Sequence, residues 1–311
     1  MAGLILHHYE GSPFAEKIRL MLGFKKLQWQ SVIIPAIMPK PDLVALTGGY
    51  RKTPVLQIGA DIYCDTALIA RVLDHLRPAP TLYPRAHAAS ASLLAAWADS
   101  ALFGIAVSYV MQPAGVQSLF AGAPAEQMSA FAADRKAFRA NATVPRLPLD
   151  QAIVALRSRL PELDAQLADG RSFILGEAAC IADFSLYHPL WFIARATAVA
   201  GILDEFAHLC RWMARMAAFG RGDPHPLDSS AAVAIARAAA PAALAQTASG
   251  QTPHANIGQR VSIAATDYGI DPVAGVLIGD TPDEFILRRE DPAAGVLHVH
   301  FPKQGFALQM L

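Results

Sequence analysis

The sequence predicts an α+β protein with three parts: an α/β domain at residues 1–80, an all-α domain at residues 86–222, and a linker helix with a small antiparallel β domain at residues 223–311. Three observations support this division. In the first part, short β-branched and aromatic runs alternate with stretches of helical periodicity. In the second part, strand signals vanish and helical periodicity dominates. The third part holds five short apolar runs separated by turn sequences, which is typical of a small sheet or barrel.

The composition indicates a soluble cytoplasmic protein. Of the 311 residues, 53% are hydrophobic and 17% are charged, and Lys+Arg and Asp+Glu number 26 each. This neutrality gives no electrostatic basis for a nucleic-acid or anionic-membrane partner. No apolar run of membrane-spanning length is free of charge and proline, so we expect no membrane partner. The three cysteines, Cys64, Cys180 and Cys210, show no paired spacing and are expected to be reduced thiols.

The first strand and helix meet at a turn that presents a hydroxyl group. Residues 4–6 are an apolar run, and Ser12 and Pro13 follow the turn at Glu10 and Gly11. Serine is a preferred N-cap, and proline suits the first helical position. The turn therefore offers a hydroxyl and free backbone N–H groups that could hold an anion. From this stretch alone, a helix cap without chemistry is the preferred explanation of Ser12.

The remaining elements of the first domain follow from local patterns. Residues 28–34 have the composition of a strand, and a short helix is expected at residues 41–46. Residues 53–58 and 61–64 flank Gly59 and Ala60, which predicts a hairpin, and a helix follows to about residue 76. His7 and His8 point to opposite faces of the first strand. We expect one of them to be packed and the other exposed, without a catalytic role.

The second and third parts are described by their predicted elements. Helices are expected at about residues 87–111, 124–139, 146–168, 181–199 and 204–219, the fourth kinked at Pro189. Residues 230–244 favour a helix, and residues 247–258 are polar and rich in turn formers. Strands are expected at residues 260–264, 275–279, 284–288, 295–301 and 306–310.

Four motifs in this order resemble the cytosolic glutathione transferases, whose N-terminal domain has the thioredoxin fold. Residues 12–19, SPFAEKIR, resemble the segment after the first strand in the Ser/Cys type found in bacteria. Thr53-Pro54 resembles the cis-proline element, and Asp65-Thr66 resembles the acidic and hydroxyl pair that opens the third helix. Residues 180–184, CIADF, resemble a capping-box segment in which Asp183 is structural. The resemblance covers about residues 1–220 and leaves the C-terminal strands unassigned.

Two residues depart from the family pattern. Asp65-Thr66 stands where Glu-Ser is commoner, which shortens the carboxylate and leaves its chemistry unchanged. Cys180 occupies the place of the usual Ser or Thr N-cap. Because a thiol is a weak acceptor, we expect this cap to be weaker by up to ~1 kcal/mol.

The resemblance implies a catalytic hydroxyl and a glutathione site. Ser12 would donate a hydrogen bond to the glutathione sulfur, and Tyr9 is the runner-up because other branches use a tyrosine near the end of the first strand. The backbone of Thr53, before Pro54, would pair with the peptide, and Asp65 and Thr66 would take the γ-glutamyl ammonium and carboxylate. The cations expected at the glycine carboxylate are Lys40, Arg51 and Lys52.

The resemblance also implies a second substrate and a partner. The co-substrate would be glutathione, and a small, apolar electrophile would bind a pocket drawn from Phe14, Met38, Trp97, Phe103 and Tyr109. A homodimer is expected through the sheet edge and the first helix of the all-α domain. The alternatives are a glutathione-dependent isomerase, dehalogenase or lyase, or a glutathione-binding or regulatory protein without turnover.

We expect no metal site. His298 and His300 share one face of a strand, and His225 and His254 lie elsewhere in the C-terminal tail, residues 223–311. No cysteine or cluster of carboxylates completes a ligand set around them.

Overall fold

The computed structural model describes residues 3–244 and 256–311. Most of the predicted polar segment 247–258, including His254, lies outside these residues. The first domain has the predicted α/β order, and the ends of its elements agree with the prediction within two residues. Its elements are β1 Leu4–His8, α1 Pro13–Phe24, β2 Gln28–Ile33, α2 Pro41–Thr47, β3 Val55–Ile58, β4 Asp61–Cys64 and α3 Thr66–Leu76. β1 pairs in parallel with β2 and antiparallel with β3, and β3 pairs antiparallel with β4. This is the thioredoxin-fold arrangement that the resemblance implied.

The second domain is helical, as predicted. Its helices are α4 Ala88–Trp97, α5 Phe103–Val110, α6 Pro113–Leu119, α7 Ala125–Phe138, α8 Leu149–Leu167, α9 Ile181–Arg195 and α10 Ala207–Ala217. A π-helical turn, Ala98–Leu102, joins α4 to α5. The N-cap of α9 is Cys180, whose backbone N–H donates to the Asp183 carboxylate at 2.9 Å. Asp183 also accepts from the Ile174 N–H and the Trp212 Nε1–H, so its role is structural.

One helical stretch meets the length and hydropathy of a membrane span. Arg85–Val110 has 26 residues; its most apolar 18-residue stretch has a mean hydropathy of 1.6 and is 33% buried. This is weak evidence for a membrane span, because core helices of soluble proteins pass the same test. Here α4, the π-helical turn and α5 all pack against α9.

The described part of the tail, residues 223–244 and 256–311, contains the five predicted strands and one more. Its elements are β5 Asp223–Pro226, α11 Ser229–Ala238, β6 Arg260–Ala265, β7 Val273–Asp280, β8 Glu284–Asp291, β9 Gly295–Pro302 and β10 Phe306–Met310. β5 was not predicted, because its sequence DPHP reads as a breaker. It pairs in parallel with β2 at the edge of the sheet, where proline is tolerated in a strand.

The tail strands extend the sheet of the first domain. The strand order is β10-β6-β7-β8-β9-β4-β3-β1-β2-β5. Within the tail, β10 and β6, β6 and β7, β7 and β8, and β8 and β9 pair antiparallel. The junction is a parallel pairing of β9 with β4, in which His300 lies opposite Tyr63 and stacks on its ring at 4.3 Å. The tail strands therefore occupy both edges of the first domain's sheet, β9 at β4 and β5 at β2.

The sheet separates two hydrophobic cores. Leu6 and Leu56 face the helical domain in one core, whereas Ile5 and Val55 belong to the other. The second core includes residues of α2 and α11 and of the tail strands, among them Leu287. The described part of the tail therefore shares a core with the first domain.

The expectation that one of His7 and His8 is exposed is wrong. Both are 1% exposed, because elements cover both faces of β1. His7 Nε2 lies 2.8 Å from Gln57 Oε1. His8 Nε2 lies 2.8 Å from Ser31 Oγ, and its Nδ1 lies 3.0 Å from Arg19 Nη1.

Candidate glutathione site

Ser12 is the N-cap of α1 and is buried. Its backbone is extended, with φ −78° and ψ 120°, and its Oγ accepts from the Ala15 N–H at 3.2 Å. The residue is only 2% exposed. A hydroxyl that accepts one hydrogen bond can still donate its own hydrogen. Ser12 can therefore cap the helix and donate to a ligand at the same time.

Arg19 fixes the turn that carries Ser12. Its Nη1 donates to the Tyr9 carbonyl at 3.3 Å, and its Nη2 donates to the Glu10 carbonyl at 3.0 Å. The guanidinium also forms two hydrogen bonds with Glu16 Oε2, at 2.9 and 2.6 Å, and Arg221 donates to the same oxygen at 2.9 Å. These charge-assisted bonds hold the turn rigidly, which sequence spacing did not indicate.

Tyr9, the runner-up for the catalytic hydroxyl, lies in the same region as Ser12. Burial raises the pKa of Tyr9, while Arg135 and the Ser12 hydroxyl act in the opposite direction. Lys40 Nζ lies 5.9 Å from the centre of the tyrosine ring. The two candidate hydroxyls therefore lie close together, and Arg135 and Lys40 lie near Tyr9.

The Thr53-Pro54 peptide bond is cis, as the resemblance implied. Lys40 is 5% exposed, and its Nζ donates to Thr53 Oγ1 at 3.4 Å. Burial lowers the pKa of Lys40 to about 8, and Arg135 acts in the same direction. Lys40 is therefore mostly protonated at pH 7 and provides a buried positive charge next to Thr53.

Asp65 and Thr66 open α3. Asp65 is the N-cap, and its Oδ1 accepts from the Ala67 N–H at 2.8 Å. Burial raises the pKa of Asp65, while the Ala67 N–H, Lys52 and Lys17 lower it. Thr66 is 5% exposed, and its Oγ1 accepts from Lys17 Nζ at 3.2 Å.

A buried ion pair beneath Thr66 connects the two domains. Lys17 Nζ lies 2.6 Å from Asp99 Oδ2, and His188 Nε2 lies 2.9 Å from Asp99 Oδ1. Burial alone would raise the pKa of Asp99, but Lys17 and His188 outweigh it and lower that pKa to about 2. Sequence reasoning missed Asp99 and His188, because their partner Lys17 is far away in the chain.

The other two predicted cations are already paired with carboxylates. Arg51 Nη2 lies 2.9 Å from Asp134 Oδ1, and Lys52 Nζ lies 2.6 Å from Asp267 Oδ1. Asp134 belongs to α7, and Asp267 lies between β6 and β7. Neither carboxylate was foreseen, since nothing in the sequence places the tail beside residue 52.

The predicted pocket residues fall in different places. Phe14 and Phe103 are in contact, with ring centres 4.6 Å apart, and both lie near His188. The Met38 N–H donates to Asp134 Oδ1 at 3.1 Å, so Met38 lies beside α7. Tyr109 is buried in the helical core, where its hydroxyl donates to the Val199 carbonyl at 2.9 Å.

Trp97 lines a separate cavity of about 550 Å³ in the helical domain, with Ile105, Leu147, Val154 and Arg159 among its other walls. None of the predicted glutathione residues lines it. Among residues 3–244 and 256–311, no group of three or more His, Cys, Asp or Glu side chains is arranged to hold a metal ion.

The fold and this site define a class of protein. A thioredoxin-fold domain carries a buried hydroxyl at one helix start, a cis proline before a strand and an acid–hydroxyl pair at a second helix start. A helical domain packs against it through α1 and α9. This is the class of two-domain proteins that join a thioredoxin fold to a helical bundle.

Comparison with known proteins identifies the family. Residues 6–81 match the glutathione S-transferase N-terminal domain, and residues 144–219 match the glutathione S-transferase C-terminal domain. The solved structure of a GST-like protein from Pseudomonas syringae is 44% identical, covers 100% of both chains and gives a TM-score of 0.84. The chain therefore belongs to the glutathione transferase family.

More distant solved structures share the fold. A glutathione S-transferase from Methylobacillus flagellatus with glutathione bound is 21% identical, with 71% of this chain and 100% of that chain covered and a TM-score of 0.52. The β-etherase LigF from Sphingobium sp. strain SYK-6 is 15% identical, with 70% and 95% covered and a TM-score of 0.51. A search of curated proteins finds no significant match.

Proposed function

We propose that the protein binds glutathione in its N-terminal domain and activates the thiol for attack on a small, apolar electrophile. The observation that carries this proposal is the Ser12 hydroxyl. It lies at the N-terminus of α1, accepts a backbone N–H and retains a hydrogen to donate. In this proposal Ser12 donates to the glutathione sulfur and does not itself attack the substrate.

The energy required for thiol activation matches what this position supplies. Lowering a thiol pKa from about 8.5 by ~2 units requires about 2.7 kcal/mol of preference for the thiolate. A helix N-terminus contributes ~0.3–1 kcal/mol, and a hydrogen bond to a charged group contributes ~1.5–3 kcal/mol. Lys40, buried near Tyr9 and Thr53, adds attraction for an anion. No general base is needed, because the thiolate is stabilised directly.

The rest of the cradle, made of Thr53, Asp65 and Thr66, would hold the peptide part of glutathione. Asp65 would bind the γ-glutamyl ammonium, and Thr66 with the start of α3 would take the γ-glutamyl carboxylate. The Thr53 backbone, next to the cis bond, would pair with the cysteinyl residue as an added strand does. Bound glutathione in the Methylobacillus flagellatus relative supports the choice of ligand.

A second candidate function is glutathione binding without turnover. One observation favours it: Ser12 is only 2% exposed, so a thiol bound at its hydroxyl would be shielded from an electrophile. The two candidates share the cradle and differ only in whether an electrophile reaches the sulfur.

Calorimetry with glutathione, followed by conjugation kinetics with an aromatic chloride, separates these functions. We expect binding together with turnover. Ser12→Ala should lower kcat/KM by about 10- to 150-fold, as the loss of ~1.5–3 kcal/mol requires, and leave the circular dichroism spectrum unchanged, whereas Ser12→Thr, which keeps the hydroxyl, should retain most activity. Loss of activity in Tyr9→Phe with Ser12→Ala active would transfer the role to Tyr9. Binding without turnover would favour the second candidate, and no binding would refute both.

We further propose that the protein is a cytoplasmic homodimer. The β4 edge is covered by β9, so the interface would use the apolar face of the helical stretch Arg85–Val110. Leu93 in α4 is 73% exposed and lies on that stretch. Sedimentation should give a dimer for the wild type and a monomer for Leu93→Glu. A monomeric wild type would contradict the assembly.

A further inference from the structure

The junction between the tail and the first domain is a short strand pairing. β9 and β4 run in parallel over three residue pairs, which are Asp61 with His298, Ile62 with Val299, and Tyr63 with His300. Parallel pairing is slightly less stable per residue than antiparallel pairing. The side chains at this junction therefore matter for holding the tail on the first domain.

His300 lies between two carboxylates at this junction. Its Nδ1 lies 3.1 Å from Glu284 Oε2 on β8, and its Nε2 lies 3.3 Å from Asp61 Oδ1 on β4. His300 and Asp61 are each 5% exposed, and the side chain of Glu284 is 23% exposed. A neutral imidazole has one N–H and can donate to only one carboxylate, whereas an imidazolium donates to both. The geometry is therefore that of a charged His300 that bridges β4 and β8.

The second histidine of β9 adds no positive charge near neutral pH. His298 Nδ1 lies 3.6 Å from Asp61 Oδ1. Burial lowers the pKa of His298; Asp61 acts in the opposite direction, and His300 and Arg288 add to the lowering. The other oxygen of Asp61 accepts from the Ala242 N–H at 2.9 Å, which is an uncharged donor. His300 is therefore the cation that faces Asp61 at this junction.

The helices that pack against β9 are α3 and α11, and their charged side chains are engaged elsewhere. Arg71 lies 3.7 Å from Asp283, Asp74 lies 2.8 Å from Lys25, Arg237 donates to the Pro292 carbonyl at 3.3 Å, and His75 is exposed. Among the described residues, Asp61 and Glu284 are therefore the charges that act on His300.

The proton on His300 is linked to the attachment of the tail. Burial alone would lower the pKa of His300, but Asp61 and Glu284 outweigh it and raise that pKa above 6.5. With the tail detached, the ring would be in water and have its ordinary pKa of about 6.5. The contribution of His300 is thus fully present below pH 6.5 and is lost as the pH rises through its folded-state pKa. Each pKa unit between the two states changes the docking equilibrium about tenfold.

We propose that His300 is a pH-sensitive latch, which holds the tail sheet on β4 while its ring is charged and loosens the junction when the ring loses its proton. Without that proton, Asp61 and Glu284 would share a largely buried site with a ring that can donate to only one of them. The tail strands would then separate from β4 more often and uncover the core that they share with the first domain. This inference concerns the tail and does not rest on the proposed glutathione site.

Two buried thiols allow the latch to be tested in the full-length protein. Cys64 and Cys180 are both 0% exposed; Cys64, at the end of β4, belongs to the core shared with the tail, whereas Cys180 belongs to the core of the helical domain. The folded protein is treated with N-ethylmaleimide at pH 6 and pH 8.5, and mass spectrometry follows the labelling of each cysteine. Each rate is divided by the rate in urea at the same pH, which removes the effect of pH on the thiol chemistry.

For the wild type, the corrected labelling rate of Cys64 should rise about tenfold from pH 6 to pH 8.5, and that of Cys180 by less than about twofold. His300→Gln should show rapid labelling of Cys64 at both pH values, because the neutral side chain never offsets the carboxylates. The matched control is His298→Gln, which removes the neighbouring imidazole of the same strand and should keep the wild-type pH dependence.

Three results would overturn the inference. One is an equal rise at Cys64 and Cys180, which would show opening of the whole protein. The second is labelling of Cys64 in the wild type that does not change with pH, and the third is a loss of the pH dependence in His298→Gln. If His300→Gln does not fold, NMR titration of the His300 ring in the wild type decides: a pKa above 6.5 supports the latch, and a pKa at or below 6.5 refutes it.

Discussion

Acid should destabilise this protein through the two buried histidines of β1. Burial lowers the pKa of His7 from 6.5 to about 4. Burial, together with Arg19, lowers the pKa of His8 to about 4 as well. In the folded chain His7 donates from Nε2 to Gln57 Oε1, because the Gln57 amide nitrogen is already donating to the Gly59 and Ala232 carbonyls. Protonation of either ring would place a charge in the interior, where the effects of Asp42 on His7 and of Glu10 on His8 do not offset burial.

The size of the effect follows from proton linkage. At pH 5 an unfolded histidine is almost fully protonated, whereas one with a pKa of about 4 is mostly neutral. At pH 5 the free energy of unfolding is then lower by about 2 kcal/mol per histidine, or by about 4 kcal/mol for His7 and His8 together. Because the unfolded chain binds more protons, this stability is fully present above pH 6.5 and is lost as the pH falls towards 4. Burial also lowers the pKa of His188, which acts in the same direction.

Urea unfolding at pH 7 and pH 5 measures this dependence. His7→Gln keeps a donor for Gln57 and removes the titration, so the variant should lose about 2 kcal/mol less than the wild type between the two pH values. Exposed His87→Gln is the control and should lose as much as the wild type. An equal loss in His7→Gln and the wild type would refute the reasoning.

Three further outcomes are expected. Asp99→Asn leaves Lys17 buried without a counter-ion and should lower the free energy of unfolding by about 3–5 kcal/mol, and a loss below 1 kcal/mol in urea titrations would contradict this. Burial raises the pKa of Asp65, so glutathione affinity measured by calorimetry should begin to fall, on acidification, at a higher pH than an ordinary carboxyl would give. Asp65→Asn should bind weakly without that dependence, and an unchanged pH profile would count against the role of Asp65. Leu287→Ala in β8 should cost about 2–5 kcal/mol and speed amide exchange in β1 and β8 together, since both strands border one core; early exchange of β8 alone would show separate units.

Local chemistry in the sequence was enough to predict most of the helices and strands. Ser12-Pro13 marks a helix start, and the hairpin around Gly59-Ala60 forms as expected. These signals lie within a few residues of the structure they specify. For the same reason, the tail strands were predicted within a few residues of their ends.

What could not be predicted depends on pairs that are distant in the chain. Periodicity predicts a strand but does not name its partner, so the pairing of β9 with β4 was not foreseen. The same holds for Asp134 and Asp267, which meet Arg51 and Lys52 only after three regions of the chain have folded. β5 was missed because its two prolines mask an edge strand.

The pairing of β9 with β4 also has a consequence for biosynthesis. Asp61 and His300, which lie 3.3 Å apart across this junction, are 239 residues apart in sequence. During translation β4 leaves the ribosome long before β9 is made, so its outer backbone groups have no strand partner while the helical domain is completed. The nascent N-terminal domain therefore exposes an open strand edge and an uncovered apolar face, a combination that favours aggregation and chaperone binding. A ribosome that stops before β9 would release a product trapped in that state.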